Sequence, residues 1–293
     1  MHVTILGCGY VGTQLARALL EAGHEVVGVR RSEPALDTLE SPRATSIEAD
    51  VTEPRSFKAL PETDAIVFAA STGGRGAEAA RSILLEGVRH AFDAVAHRPE
   101  PPGQFLFTSS TGVYGDHDGD VVDETTPIDP TTEKTQVFAE AERLVWELGT
   151  EFDIDATVVR FAGLYGPGRY RMDRYLEGPV TAGVLNMLHR DDAAGVLQFG
   201  LEADTSPEEL LLAVDDEPVE KWQFARWLAD ACGEPEPPLQ TQADRLEDGA
   251  LSPAARRRIR AQKRCSNDRL HELGYTFAYP TYRAGYRDAI RSD

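Results

Sequence analysis

The sequence predicts an α/β fold: a doubly wound parallel sheet with a smaller, interleaved C-terminal lobe. Three observations predict it. Short apolar, β-rich runs alternate with amphipathic helical stretches, a glycine-rich turn joins the first such strand to the first helix, and the alternation loosens after Gly166-Pro167-Gly168.

His2–Leu6 reads as a short buried strand, Val11–Ala22 carries helical apolar spacing (Val11, Leu15, Ala16, Leu19, Leu20), and Glu25–Val29 returns to strand chemistry after Gly23. This is a βαβ unit. The runs Ala44–Ala49, Ala65–Ala70, Phe105–Ser109 and Ala156–Phe161 continue the strands, separated by helical patterns at Ala77–His97 and Thr135–Leu148. Pro99–Gly103 is a loop before a central strand. Further on, Asp191–Gly200 resembles a helix and Leu210–Val214 one more buried strand, while the chain from Val219 onward is helix-prone and rich in Arg and Pro. The expected organisation is a first domain over residues 1–167 to which 186–218 return, and a smaller substrate lobe from 168–185 and 219–293.

The 293 residues contain 41% hydrophobic side chains but no apolar run approaching the ~18 residues of a membrane span. No basic n-region precedes the first strand, so a cytoplasmic location is expected. Cys8, Cys232 and Cys265 are widely spaced and odd in number, which reads as reduced thiols with no metal site. Asp and Glu number 49 against 30 Lys and Arg, for a net charge of −19, and the only lysines are Lys58, Lys134, Lys221 and Lys263. Such a surface suits high salt, where screening shortens to about 3 Å, and a halophilic host is expected. The same charge excludes a general nucleic-acid binder. The basic stretch Arg256, Arg257, Arg258, Arg260, Lys263 and Arg264 reads as a solvated helix face, with a phosphate-binding surface as the alternative.

Gly7-Cys8-Gly9-Tyr10-Val11-Gly12 lies between strand and helix, where G-x-G-x-x-G has a mechanism. Gly7 takes the tight turn, Gly9 leaves room for a pyrophosphate, Gly12 lets helix and strand pack closely, and the helix N-terminus with Tyr10 and Val11 faces the anion. A Rossmann-type dinucleotide site is therefore expected. At the end of the second strand stand Arg30, Arg31 and Ser32 with no carboxylate before Glu33, favouring NADP over NAD, which stays possible. Asp50 and Val51 would lie near the adenine, and Ala69 and Ala70 end a strand at the cofactor's edge.

These residues, together with Phe107–Gly115 (Phe-Thr-Ser-Ser-Thr-Gly-Val-Tyr-Gly), Arg160–Gly168 and Asn186–Asp192, make the chain resemble the extended short-chain dehydrogenase/reductase family, also described as NAD-dependent epimerases/dehydratases. The resemblance implies that Ser110 hydrogen-bonds the reacting oxygen, with Ser109 and Thr111 as chemically similar neighbours. It also implies a Y-x-x-x-K pair on the next helix, but here Lys134 stands at the tyrosine position and Phe138 at the lysine position. This departure resembles an atypical subgroup lacking the catalytic tyrosine. Lys134, Tyr114, Tyr165 and His189 are then candidates for moving the proton. Asp191 or Asp192 is expected to cap the helix beginning there, which leaves His189 either a packed loop residue or a proton donor at the pocket rim. Thr111, Tyr165 and Arg169 are candidate substrate contacts, Arg169 and Arg171 through a phosphate.

The expected function is an NADP(H)-dependent oxidoreductase or epimerase/dehydratase-like enzyme acting on a small polar substrate, a nucleotide-sugar among the candidates. The alternative is a non-catalytic NADP(H)-binding sensor or scaffold. Neither reading involves nucleic acid, membrane or metal, and a homodimer is compatible with both.

Overall fold

The computed structural model describes residues 1–31, 41–73, 76–203 and 209–292. Contacts divide the chain into two compact units, one of Met1–Ser110, Glu133–Arg160 and Arg190–Leu211, the other of Thr111–Thr132, Phe161–His189 and Leu212–Asp293.

The first unit is built on strands β1 (His2–Leu6), β2 (Glu25–Arg30), β3 (Ala44–Glu48), β4 (Ala65–Phe68), β5 (Gln104–Ser110), β6 (Asp155–Phe161) and β7 (Leu210–Ala213). They form one seven-stranded sheet in the order β7-β6-β5-β4-β1-β2-β3. The pairing is parallel, with Val3 facing Val26 on one side and Ala65 on the other. Val158 N–H bonds the Glu209 carbonyl and Ala162 N–H that of Ala213, so the far edge also runs parallel. Strands β4 and β6 are buried almost throughout, as a sheet covered on both faces requires, whereas the edge strand β3 has no fully buried residue. The order reverses between β1 and β4, and at their carboxyl ends a doubly wound sheet opens its ligand crevice.

Helix α1 (Gly12–Glu21) buries Gly12, Leu15, Ala16, Leu19 and Leu20 on one stripe. It stops at Gly23, whose φ of +96° suits a residue without Cβ. His24 N–H returns to the Leu19 carbonyl and Gly23 N–H to that of Leu20, satisfying two terminal carbonyls. The single helix expected over Ala77–His97 is instead α2 (Ala77–Arg81), one π-turn (Ser82–Glu86) and α3 (Gly87–Val95). At that turn Gly87 N–H bonds the Ser82 carbonyl five residues back, and Gly87 packs where a Cβ would come within 3.1 Å of Val51. Helix α4 (Glu133–Phe152) runs 20 residues, beyond the expected Thr135–Leu148 at both ends. It continues past Leu148 because Gly149 lies against β6, where a Cβ would stand 2.8 Å from that of Ala156. The core beneath these helices is aromatic: Phe92 stacks on Phe105 with centroids 4.3 Å apart, and Phe68, Phe107 and Val137 join them.

The second unit is held by short strand pairs: Gly163–Tyr165 with Met187–His189, Val184–Leu185 with Val219–Glu220, Val180–Thr181 with Leu239–Gln240, and Val121–Val122 with Arg264–Cys265. Its core gathers Tyr165, Met187, Phe224, Leu228, Tyr282 and Tyr286. The division therefore differs from the expected one. Thr111–Thr132, Phe161–Pro167, Asn186–His189 and Leu212–Pro218 belong to the second unit, because Tyr165 and Met187 bury against the C-terminal helices and Lys263 Nζ donates to the Gly115 carbonyl at 3.1 Å. Among the described residues no helix is long and apolar enough to cross a membrane.

Candidate functional site

The turn after β1 is shaped by its three glycines, each for its own reason. Gly7 has φ +102°, and a Cβ there would lie 2.4 Å from Ala70 N, because the end of β4 presses on the turn. A Cβ on Gly12 would lie 2.6 Å from the Gly7 carbonyl oxygen. Gly9 is the open one: its Cβ would meet nothing nearer than 3.9 Å. Two positions are thus closed by backbone and the middle one is clear, at the N-terminus of α1, where the first N–H groups lack helical partners. This cradle fits a dinucleotide pyrophosphate. Ala69 N–H bonds the Leu6 carbonyl at 2.8 Å, bringing Ala69 and Ala70 to the same rim. Arg190 lies over the Tyr10 ring at 5.6 Å and so fixes one wall of the turn. Cys8, within the turn, is buried, and burial pushes its thiol up to about 11, so it packs as an apolar side chain.

Arg30 ends β2 and is exposed, with Glu48 as its register partner on β3. Arg31 approaches Asp50 at 3.9 Å. Asp50 also accepts from the N–H and hydroxyl of Thr52 at 2.9 and 2.8 Å, forming the turn that opens into buried Val51. Arg30, Arg31, Asp50 and Val51 therefore surround the carboxyl ends of β2 and β3; Ser32 lies outside the described residues.

At the end of β5 the side chains alternate. Ser110 is half-buried at the last strand position, while Ser109 points into the unit and donates to Glu142 Oε1 at 2.5 Å. Glu142, on α4, takes Arg160 of β6 in a two-pronged grip, Nε to Oε1 at 3.0 Å and Nη2 to Oε2 at 2.7 Å. Glu142 is 1% and Arg160 4% exposed, so the pair is withdrawn from water and satisfied by hydrogen bonds. This network ties α4 to β5 and β6. Ser109 is consequently a structural partner, leaving Ser110 as the serine at the strand's mouth. Lys134 sits half-buried in the first turn of α4, and Phe138, one turn on, packs against the core.

In the second unit, Thr111 begins a short 3-10 turn and its hydroxyl bonds buried Cys265, whose thiol is pushed up to about 12 by burial. Tyr114 is fully buried and donates its hydroxyl to the Asp123 carbonyl at 2.7 Å, which secures the turn. Tyr165 and His189 are register partners on adjacent parallel strands, their rings 5.3 Å apart and edge-on. His189 is 1% exposed and packs on Tyr279 at 3.7 Å. Arg169 is exposed after the Gly166 turn, its N–H bonded to the Gly166 carbonyl at 2.8 Å, with Arg171 exposed nearby in the chain. Asp191 and Asp192 do not cap the following helix. They lie in its first turn, since the helix begins at Arg190, and Asp191 accepts from Arg190 Nε at 2.8 Å. Among the described residues no group of His, Cys, Asp and Glu could hold a metal ion.

A sequence model of the NAD dependent epimerase/dehydratase family matches residues 3–216. The chain belongs to that family. Protein YeeZ of Escherichia coli is 34% identical over 216 residues, covering 69% of this chain and 73% of YeeZ. A conserved protein of unknown function from Silicibacter pomeroyi is 29% identical, with a TM-score of 0.77 over 100% of this chain and 98% of its own. The fold is shared as well with a Thermus thermophilus UDP-glucose 4-epimerase solved in complex with NAD, at a TM-score of 0.77, 17% identity and 99% coverage of each chain.

For an epimerase/dehydratase-family chain, the feature missed from sequence is the Glu142–Arg160 pair. A signal existed. Glu142 stands three residues before Val145 and seven before Gly149, both buried, and Arg160 interrupts the apolar run of Val158, Val159 and Phe161. A carboxylate on an apolar helix stripe and a guanidinium in an apolar strand each need a partner.

Proposed function

We propose that this chain is an NADP(H)-dependent oxidoreductase or epimerase/dehydratase-type enzyme acting on a small polar substrate, with nucleotide-sugars the first class to try. The observation carrying the reading is the turn after β1, closed at Gly7 and Gly12, open at Gly9, and placed at the switch point of the sheet. The preference for NADP rests on Arg30 and Arg31 at the end of β2, where guanidinium groups suit the 2′-phosphate. A bound nicotinamide supplies hydride transfer. Ser110 would hydrogen-bond the reacting oxygen, and Lys134 or His189 would supply the proton path in place of the family's tyrosine; His189 would have to do so from a buried position. The reading extends to a cytoplasmic, salt-adapted protein, supported by 49 acidic against 30 basic residues.

Exchanging Ser110 for Ala is expected to lower turnover at least ~100-fold on a carbonyl and nucleotide-sugar panel while NADPH affinity, followed by cofactor fluorescence, stays unchanged. Unchanged turnover overturns the role of Ser110. Arg30→Ala with Arg31→Ala should weaken NADPH ~10-fold or more and NADH little, and equal losses refute the phosphate assignment.

A second reading, a non-catalytic NADP(H)-responsive sensor, is favoured by one observation: Phe138, at the family's lysine position, is committed to the core. NADPH binding with no turnover anywhere on the panel, in wild-type protein, would select it.

A further inference from the structure

The glycine turn after β1 is bracketed by two guanidinium groups that come from outside it. On one side Arg30, at the end of β2, is close enough to Cys8 for its charge to act on the buried thiol. On the other, Arg190 lies over the Tyr10 ring at 5.6 Å. Arg190 opens the 13-residue helix Arg190–Glu202, which packs along α1. The two helices run in the same direction. Tyr10 meets Arg190 at their N-termini, and at the far ends His24, just past α1, meets Glu202 at 3.1 Å. Arg190 therefore stands beside the N-terminus of α1, where the turn is clear at Gly9.

The carboxylate that holds Arg190 holds it weakly. Asp191 Oδ1 takes both Nε and Nη2, each at 2.8 Å, and Nη1 is not drawn into the pair. Consecutive residues of a helix do not share a face, so both side chains must bend to meet. A single oxygen accepts both contacts, unlike the two-pronged grip of Glu142 on Arg160. The two side chains are 21% and 27% exposed, and a pair so open to water contributes little. The Tyr10 ring supplies what the pair does not: a guanidinium stacked on an aromatic face stays in place while its edge donors change partner.

We propose that Arg190 is a pyrophosphate-binding residue of the dinucleotide site, its guanidinium turning from Asp191 to the anion while Tyr10 keeps it at the turn. The N–H groups of the turn are neutral donors, and a chain of net charge −19 meets a doubly charged pyrophosphate better with a cation beside them. Asp191 is then the competitor that sets how tightly the dinucleotide is held. The inference rests on the cofactor reading of the turn and deepens it. Arg30 and Arg31 are assigned to the 2′-phosphate and Arg190 to the pyrophosphate, so the two contributions can be measured apart.

The test is an NADPH fluorescence titration of the full chain in low-salt buffer, with ADP and adenosine 2′-monophosphate as displacing probes. ADP carries a 5′-diphosphate and no 2′-phosphate, and adenosine 2′-monophosphate the reverse. Arg190→Met is expected to weaken NADPH and ADP each about 10-fold, the loss of a charge-assisted contact, and adenosine 2′-monophosphate by less than ~2-fold. Arg190→Lys, which keeps the charge and loses the planar stack, should fall between Arg190→Met and wild type. Asp191→Asn removes the competitor and should tighten NADPH and ADP about 3-fold, a gain that no folding defect produces. Unchanged ADP affinity in Arg190→Met overturns the proposal and leaves the cofactor reading intact. So does an equal loss for adenosine 2′-monophosphate at an unchanged thermal midpoint, or weaker NADPH binding in Asp191→Asn. Wild-type protein that binds none of the three probes overturns the cofactor reading and this inference with it.

Discussion

Replacing Glu142 by Gln perturbs the first unit at its most constrained polar point. The carboxylate holds Arg160 by two bonds of 3.0 and 2.7 Å and Ser109 by one of 2.5 Å, with both charged side chains almost wholly buried. Removing one member of a buried pair costs about 3–5 kcal/mol, because the remaining charge stays desolvated without its counter-ion. The amide keeps one carbonyl oxygen that can still accept one bond, returning about 1 kcal/mol. The expected loss is therefore about 3 kcal/mol. At roughly 2–4 °C per kcal/mol, the thermal midpoint should fall by roughly 6–12 °C, read by circular dichroism or by urea titration at constant m. The double variant Glu142→Leu with Arg160→Met should lose less than the single one, since it buries no unmatched charge. A Glu142→Gln protein within about 1 kcal/mol of wild type, or a double variant worse than the single, would refute the argument that the pair locks α4 to β5 and β6.

Two further predictions follow from the geometry. Gly7→Ala forces a side chain into a φ of +102° and against Ala70 N, so NADPH binding should fall by more than ~10-fold at a cost of about 1–3 kcal/mol in stability; wild-type NADPH affinity would contradict the account of the turn. Glu124, which accepts the Leu212 N–H at 2.8 Å, is held above its ordinary carboxylate range chiefly by burial. The folded state then binds its proton more readily than the unfolded chain does, so this group's contribution to stability declines as pH rises from the unfolded value near 4.5 through the raised folded one. Glu124→Gln should remove that decline and stabilise the protein at pH 7; a pH–stability profile parallel to wild type would contradict it.

The strands of the central sheet were legible because a parallel sheet covered on both faces leaves a nearly continuous apolar record, which β4 keeps from end to end and β6 keeps over most of its length. The glycine turn was legible because Gly7 and Gly12 answer local steric demands of the neighbouring backbone while Gly9 leaves the middle of the turn clear. The π-turn at Ser82–Glu86 was not. Apolar residues recur there close enough to a 3.6 period that one extra residue in the phase is absorbed by the pattern, and only the packing of Gly87 on Val51 and Phe68 exposes it. The Glu142–Arg160 pair was readable as two anomalies, but α4 also carries Glu133, Glu140, Glu147 and Glu151, and composition alone does not say which carboxylate turns inward.

The unit boundaries escaped for a different reason, which bears on where function sits. The chain changes unit five times: at Thr132/Glu133 and His189/Arg190, where helices begin, and at three points in the sheet, between Ser110 and Thr111 and between Arg160 and Phe161, at or within one residue of the carboxyl ends of β5 and β6, and between Leu211 and Leu212 within β7. The three crossings in the sheet carry no proline or glycine signature of a linker, since each continues a buried strand directly into the next element. The expected boundary at Pro167 followed a turn signal. That signal marks only a loop within the second unit, where Arg169 N–H closes on the Gly166 carbonyl. In a doubly wound sheet the strand ends are where ligands are met. The passage from Ser110 to Thr111 therefore falls across one peptide bond at the carboxyl end of β5, where no break in the apolar record marks it.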